Sequence, residues 1–115
     1  MATYSKLKLS GSTNGRGIAV AATATLGTTI HTASASALDE IWLYANNIHS
    51  SAVVLTVEFG GVTSTSDLIQ TSIAATPSGL VLICAGLLVT GSVVVTAFAG
   101  TASKIELFGY VNRIA

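Results

Sequence analysis

Residues 39–61 restrict the fold most, because apolar side chains recur at every second position in two arms around a polar turn. In the first arm the alternating sets are Ile41, Leu43 and Ala45 against Trp42, Tyr44 and Asn46. In the second arm they are Val53, Leu55, Val57 and Phe59 against Val54, Thr56 and Glu58. Successive side chains of a strand point to opposite faces, so each arm has one uniformly apolar face. The pattern predicts a β-hairpin whose two strands begin the hydrophobic core.

Short runs of strand-forming residues continue along the rest of the chain, separated by turns rich in Gly and Ser. The predicted strands outside the hairpin cover residues 4–10, 18–26, 28–33, 68–74, 80–85, 92–99 and 103–114. We expect the strands at 68–74 and 80–85 to pair, with 86–91 crossing over. This spacing is typical of an all-β fold, an antiparallel β-sandwich or jelly-roll-like domain of about eight short strands. One domain is expected over residues 1–115, with residues 1–17 as an extended N-terminal arm.

The chain carries very little charge. Five basic and five acidic residues give a net charge of zero, and charged residues make up only 9% of the sequence, against about 25% in an average domain. Zero net charge favours association between copies. Basic residues do not cluster beyond Lys6 and Lys8, so we expect no nucleic-acid partner. The N-terminus lacks the plan of a signal peptide, so synthesis and folding in the cytoplasm are expected.

Residues 68–103 contain no charged side chain at all, and residues 80–99 have the length and apolarity of a membrane helix. Gly86, Gly91 and Ser92 divide this segment into pieces of strand length. The last piece is rich in β-branched residues, which favour strands over helices. We therefore predict buried strands and no membrane partner, with a membrane-spanning helix as the alternative.

Residues that could carry chemistry are few and poorly spaced. His31 and His49 lack the spacing of metal ligands, and the single cysteine, Cys84, lies in an apolar run. Asp39 and Glu40 are adjacent, so on a strand they point to opposite faces. The serine elbow of hydrolases is absent, and the glycine-rich loop 11–17 lacks the lysine of a phosphate loop. We therefore predict no catalytic residue, no metal site, no cofactor and no enzymatic activity.

Two aromatic pairs are the sharpest candidates for a binding surface. Trp42 and Tyr44 share one strand face, and Phe108 and Tyr110 share another. If the aliphatic residues face the core, the aromatic face is exposed and marks a partner surface. Alternatively the aromatic face is the core and the aliphatic face is covered by a second layer or subunit. The predicted interface residues are Tyr4, Arg16, Trp42, Tyr44, Phe108, Tyr110 and Arg113.

Four segments resemble small structural proteins of tailed bacteriophages, cyanophages among them. They are A-L-D-E-I-W-L-Y-A-N-N, V-L-T-V-E-F-G-G, S-G-L-V-L-I and the closing F-G-Y-V-N-R-I, within residues 37–114. The resemblance is to capsid decoration, or cement, proteins and related virion accessory proteins. It implies a β-sandwich or jelly roll that forms a homotrimer and sits on the outer capsid surface, where it contacts the major capsid protein. It implies no catalytic residues.

A capsid decoration protein that oligomerises and stabilises the phage head is therefore the expected function, with residues 4–16 and 110–115 as contact regions. One alternative is a host- or carbohydrate-binding module of a head fibre or tail, with Trp42, Tyr44 and Tyr110 as stacking platforms. A second alternative is a small membrane protein such as a holin.

Overall fold

The structure, a computed structural model that describes residues 3–115, is all-β, as predicted. Nine antiparallel strands form two sheets. The strands are β1 Tyr4–Lys8, β2 Ile18–Ala19, β3 Thr28–Thr32, β4 Leu38–Asn47, β5 Val53–Phe59, β6 Leu68–Ile73, β7 Val81–Val89, β8 Val94–Ala99 and β9 Ile105–Ile114. The prediction of a β-sandwich is thereby confirmed. No helix among residues 3–115 is long and apolar enough to cross a bilayer.

The strand order is that of a jelly roll. One sheet runs β1-β9-β4-β7, with β2 added to the same edge of β9 as β1, and the other runs β3-β8-β5-β6. Strands from the first half of the chain pair with those from the second half in mirrored order: β1 and β2 with β9, β3 with β8, β4 with β7. At the centre of this arrangement β5 pairs with β6. A long antiparallel ribbon folded over on itself produces this order, and its two sheets enclose one core.

The core consists of the aliphatic faces of both sheets. On β4, Ile41, Leu43 and Ala45 are fully buried, and on β5, Leu55 and Val57 are fully buried. The aromatic residues of β4 and β9 therefore point away from the core. Of the two orientations that the alternation allows, the structure adopts the one with aliphatic residues inside and aromatic residues outside.

The predicted hairpin at residues 39–61 is wrong in its pairing, although both strands exist. β4 lies between β9 and β7 in one sheet, whereas β5 lies between β8 and β6 in the other. The connection between them, residues 48–52, is mostly exposed and passes from one sheet to the other. A short segment can do this because stacked sheets are only about 10 Å apart. Asn47 fixes this crossing: its Nδ2 donates to the carbonyls of Ser51, Ile73 and Ala74, and its Oδ1 accepts from the backbone N–H of His49.

Three further local predictions are corrected. The strand expected at 18–26 ends at Ala19 as β2, and the Ala- and Thr-rich remainder is irregular. The strand expected at 80–85 continues through Val89, so residues 86–91 do not form a crossover, and it pairs with β4 rather than with β6. Two bulges allow this extension, because Ile83 and Gly86 have no partner residue on β4. Gly86 has a φ of 76°, which suits glycine.

The predicted N-terminal arm lies partly within the sandwich. β1 pairs with the end of β9, and Leu9 is buried in the core. Gly11 donates its N–H to the carbonyl of Ile30, which joins this segment to β3 in the other sheet. Met1 and Ala2, the first two residues of the arm, lie outside the described residues.

Candidate functional site

The outer side of the five-stranded sheet carries the four predicted aromatic residues in two adjacent rows. Trp42 lies opposite Tyr110, and Tyr44 lies opposite Phe108. All four are half-buried. The rings of Trp42 and Tyr110 are stacked, with centroids 6.2 Å apart and an interplanar angle of 10°. We call this surface, formed by Trp42, Tyr44, Phe108 and Tyr110, the aromatic face.

Polar side chains hold the Trp42–Tyr110 row of the aromatic face in place. Glu40 Oε1 accepts a hydrogen bond from Trp42 Nε1 at 2.7 Å and another from Asn112 Nδ2 at 3.0 Å. The hydrogen bonds from Asn112 and Trp42 lower the pKa of Glu40. Lys6 Nζ lies 4.9 Å from the centre of the Tyr110 ring, a cation–π distance. These contacts fix the orientation of the Trp42–Tyr110 stack within the chain itself.

An open groove of about 440 Å³ lies beside the stack. Its lining combines one aromatic ring, an ammonium group, a carboxylate, an amide and a hydroxyl: Tyr4, Ser5, Lys6, Glu40, Asn112 and Ile114. Tyr4 is 73% exposed, which makes it the most accessible aromatic ring of the described chain. The groove therefore places an exposed aromatic ring beside polar and charged groups.

The two predicted contact regions, residues 4–16 and 110–115, are brought together. Tyr4 lies opposite Ile114, and Thr3 and Ala115 exchange two backbone hydrogen bonds of 2.7 and 2.8 Å. Arg16 lies apart from them, in the exposed loop after β1. We call the surface formed by β1 and residues 110–115 the terminal surface. It borders the aromatic face at Tyr110.

Arg113 occupies a different position from the other predicted interface residues. Its guanidinium donates to the buried Asp39, from Nε to Oδ1 at 2.8 Å and from Nη2 to Oδ2 at 3.0 Å. Asp39 Oδ2 also accepts from the backbone N–H of Ser34 and lies 2.7 Å from His31 Nε2. Hydrogen bonding to Arg113 holds the pKa of Asp39 at about 2 despite its burial. Arg113 thus serves the fold of its own chain.

His31 has a defined tautomer in this network. Its Nδ1 accepts the backbone N–H of Ser10 at 3.0 Å, so the ring proton is on Nε2 and is donated to Asp39. The hydroxyl oxygen of Ser10 accepts the N–H of Thr32 at 2.7 Å and does not contact the ring. Ser, His and Asp therefore meet here in a joint between β1, β3 and β4, with the imidazole buried and its acceptor nitrogen occupied.

A second carboxylate, Glu58, is buried and connects two segments of the chain, a role that the sequence did not predict. It lies on the outer side of β5 and accepts from Thr96 Oγ1 at 2.5 Å, Thr25 Oγ1 at 2.7 Å and the Gly27 N–H at 2.8 Å. Burial acts to raise the pKa of Glu58, but the three hydrogen bonds from Thr96, Thr25 and Gly27 together lower it. Through these hydrogen bonds the carboxylate holds the irregular segment that contains Thr25 and Gly27 against the four-stranded sheet.

The exposed leucines on and just before β7 were not predicted, because residues 80–99 were expected to form buried strands throughout. Leu80, Leu82, Leu87 and Leu88 are exposed. Apolar residues in an unbroken run give no alternation, so the sequence does not show which of them face water. The absence of charge over residues 68–103 was the available signal, since it marks an edge without the usual protective charges.

Among residues 3–115, no group of three or more His, Cys, Asp or Glu side chains is placed to hold a metal ion. Every buried side-chain nitrogen or oxygen of the described chain has a hydrogen-bond partner. Comparison with protein-family models, with curated proteins and with solved structures gave no match.

Proposed function

We propose that this chain is a non-enzymatic structural protein of a virion, a capsid decoration protein that oligomerises as a trimer and stabilises the head of a tailed phage. The resemblance of residues 37–114 to such proteins suggests the virion. The hydrogen bonds of the buried polar side chains support a structural role. Asp39, His31 and Glu58 all hold strands and loops of their own chain together.

The observation that carries the proposal is the terminal surface with its neighbouring aromatic face. Tyr4 and Lys6 are exposed there, beside the preset Trp42–Tyr110 stack. Aromatic and basic side chains that are held in place before binding lose little entropy on association. Interfaces between different proteins typically combine such aromatic anchors with a polar rim, which Ser5 and Asn112 supply here.

The proposed mechanism is mechanical. Each copy buries apolar area against the major capsid protein, and this area contributes about 25 cal/mol per Å² removed from water. A trimer contacts several capsid subunits at once, so each further contact forms at high effective concentration. The result is a clamp across neighbouring capsid subunits on the outer surface of the head.

The proposal is tested by co-sedimentation of the purified chain with empty heads of the phage whose genome encodes it. We expect saturable binding, and we expect Lys6→Glu to weaken it by reversing a charge on the terminal surface. Lys104→Glu is the matched control, because Lys104 lies just before the first residue of β9, whereas Lys6 pairs with Asn112 near its last residue. Absence of the chain from purified phage particles, or equal binding by both variants, would contradict the proposal.

A carbohydrate-binding module is the second candidate, favoured by the composition of the groove. Tyr4 offers an exposed ring for stacking on a sugar, and Glu40, Asn112 and Ser5 offer hydrogen-bonding groups around it. The Trp42 ring, proposed from the sequence as a platform, is stacked on Tyr110 instead. Binding to a panel of oligosaccharides that is lost in Tyr4→Ala and kept in Tyr44→Ala would support this candidate.

A further inference from the structure

Four exposed leucines lie on or just before β7, an edge strand of the sandwich. We call Leu80, Leu82, Leu87 and Leu88 the leucine edge. Leu82 is 49% exposed and Leu88 is 53% exposed. β7 pairs with β4 along one side, and no strand within residues 3–115 pairs with its other side. Large apolar side chains at an unpaired edge are unusual in a soluble monomer, because such edges promote association.

The two strands at the leucine edge, β7 and β6, carry no charged side chain of their own, and on the adjacent β4 Glu40 lies opposite Leu88. β6, the neighbouring edge strand of the other sheet, lies on the same side of the sandwich, since Asn47 of β4 donates to the carbonyl of Ile73 in β6. Both strands belong to the uncharged segment 68–103. The opposite edge of the same sheet carries Lys6 and Lys8 on β1. The two edges of one sheet therefore differ in the chemistry that they present.

We propose that the leucine edge is the contact through which copies of this chain assemble, a claim that rests on the oligomer in the proposed function and names its surface. Contacts between identical subunits are the most apolar class of interface, whereas contacts between different proteins are more polar. The leucine edge fits the first class and the terminal surface fits the second. A net charge of zero leaves no repulsion between copies to overcome.

The bulges of β7 determine whether two copies contact each other by strand pairing or by side-chain packing. Ile83 and Gly86 each interrupt the pairing with β4, so the outward N–H and C=O groups do not form a regular row. Addition of a partner strand is therefore disfavoured, and side-chain packing makes the contact. Leu82 lies opposite Tyr44 and Leu88 lies opposite Glu40, so both leucine side chains lie on the outer side of the five-stranded sheet.

Light scattering on the purified full chain, separated by size, tests this surface without any capsid. We expect the unmodified chain to have a mass several times that of the 11.6 kDa monomer. We expect the double variant Leu82→Lys, Leu88→Lys to elute as a folded monomer. Val54→Lys is the matched control, because Val54 is also 49% exposed but lies on the other sheet, and it should remain an oligomer.

Hydrogen exchange on the unmodified chain keeps the test valid if the double variant fails to fold. Dilution should speed exchange in β7 and leave β1 unchanged. A monomeric unmodified chain, a folded double variant that keeps the full mass, or dilution-sensitive exchange confined to β1 would each overturn the inference. An oligomer that dissociates through β7 but ignores phage heads would instead overturn the proposed function and leave the leucine edge standing.

Discussion

Arg113 and Asp39 lie directly opposite each other on β9 and β4 and form a two-bonded ion pair, with Nε–Oδ1 and Nη2–Oδ2 distances of 2.8 and 3.0 Å. The carboxylate is fully buried, while a third of the guanidinium side chain is exposed. Because His31 and Ser34 bond to the same carboxylate, one residue ties together β3, β4, β9 and the loop between β3 and β4. The pair therefore supports the joint between the two sheets.

Acid should weaken the fold through Asp39. Its pKa falls from 3.8 to about 2 on folding, mainly because Arg113 donates hydrogen bonds to it. A carboxyl group whose pKa is lowered stabilises the fold fully above its unfolded pKa and loses this effect as the pH falls through its folded pKa. We expect the free energy of unfolding to drop by about 2 kcal/mol from this group between about pH 4 and pH 2. Urea unfolding across this range measures the drop.

Arg113→Gln should move this acid transition to higher pH, because the buried carboxylate loses its main donor. We also expect lower stability at pH 7, by about 3 kcal/mol, since an unpaired buried charge remains. Arg16→Gln is the control, because Arg16 lies in an exposed loop. An acid transition at the same pH in both variants would show that Arg113 does not set the protonation of Asp39.

The fold class could be predicted from the sequence because alternation is a local signal. The period-two pattern of residues 41–46 and 53–59 gave both strands and their buried aliphatic faces. The pairing could not be predicted, because a turn of a few polar residues serves equally well to return to the same sheet or to cross to the other. Asn47 decides between these outcomes through hydrogen bonds to Ile73 and Ala74, which lie 26 and 27 positions further along the chain.

The candidate site was partly predictable. The aromatic residues at 42, 44, 108 and 110 could be assigned to two strand faces, and the structure places those faces side by side. Arg113 could not be distinguished from an interface arginine, because its partner Asp39 is 74 positions away in the sequence. The positions of the leucines of β7 were equally hidden, since two bulges shift the alternation within a single apolar run.

Thr96→Val should destabilise the protein through Glu58. The substitution keeps the shape of the side chain but removes the hydroxyl that donates to the buried carboxylate. A hydrogen bond to a charged group contributes about 1.5–3 kcal/mol, so we expect a loss of about 2 kcal/mol in the free energy of unfolding. Thr71→Val on β6 is the control. In a Glu58→Gln background, Thr96→Val should lower the free energy of unfolding by less than it does in the unmodified chain. An equal loss in both backgrounds would show that Thr96 does not stabilise the protein through the Glu58 carboxylate.

The thiol of Cys84 should be unreactive in the folded chain. Its side chain points from β7 into the core, and burial raises its pKa from 9.0 to about 11. At pH 8 the reactive thiolate is therefore about 100-fold scarcer than for an ordinary cysteine, and access is blocked as well. A colorimetric thiol reagent should modify the native chain at least about 100-fold more slowly than the urea-unfolded chain. Equal rates would place Cys84 at the surface.

Gly109→Ala should disrupt the centre of the five-stranded sheet. A Cβ at this position would overlap the carbonyl oxygen of Trp42 on the neighbouring strand, and neither backbone can move without disturbing the pairing of β4 and β9. We expect a loss of about 3 kcal/mol or more in the free energy of unfolding, or failure to fold. Gly100→Ala is the matched control, because nothing lies within 4 Å of its added Cβ. Thermal unfolding of both variants measures the difference, and equal melting temperatures would mean that β4 and β9 are not packed as closely as described.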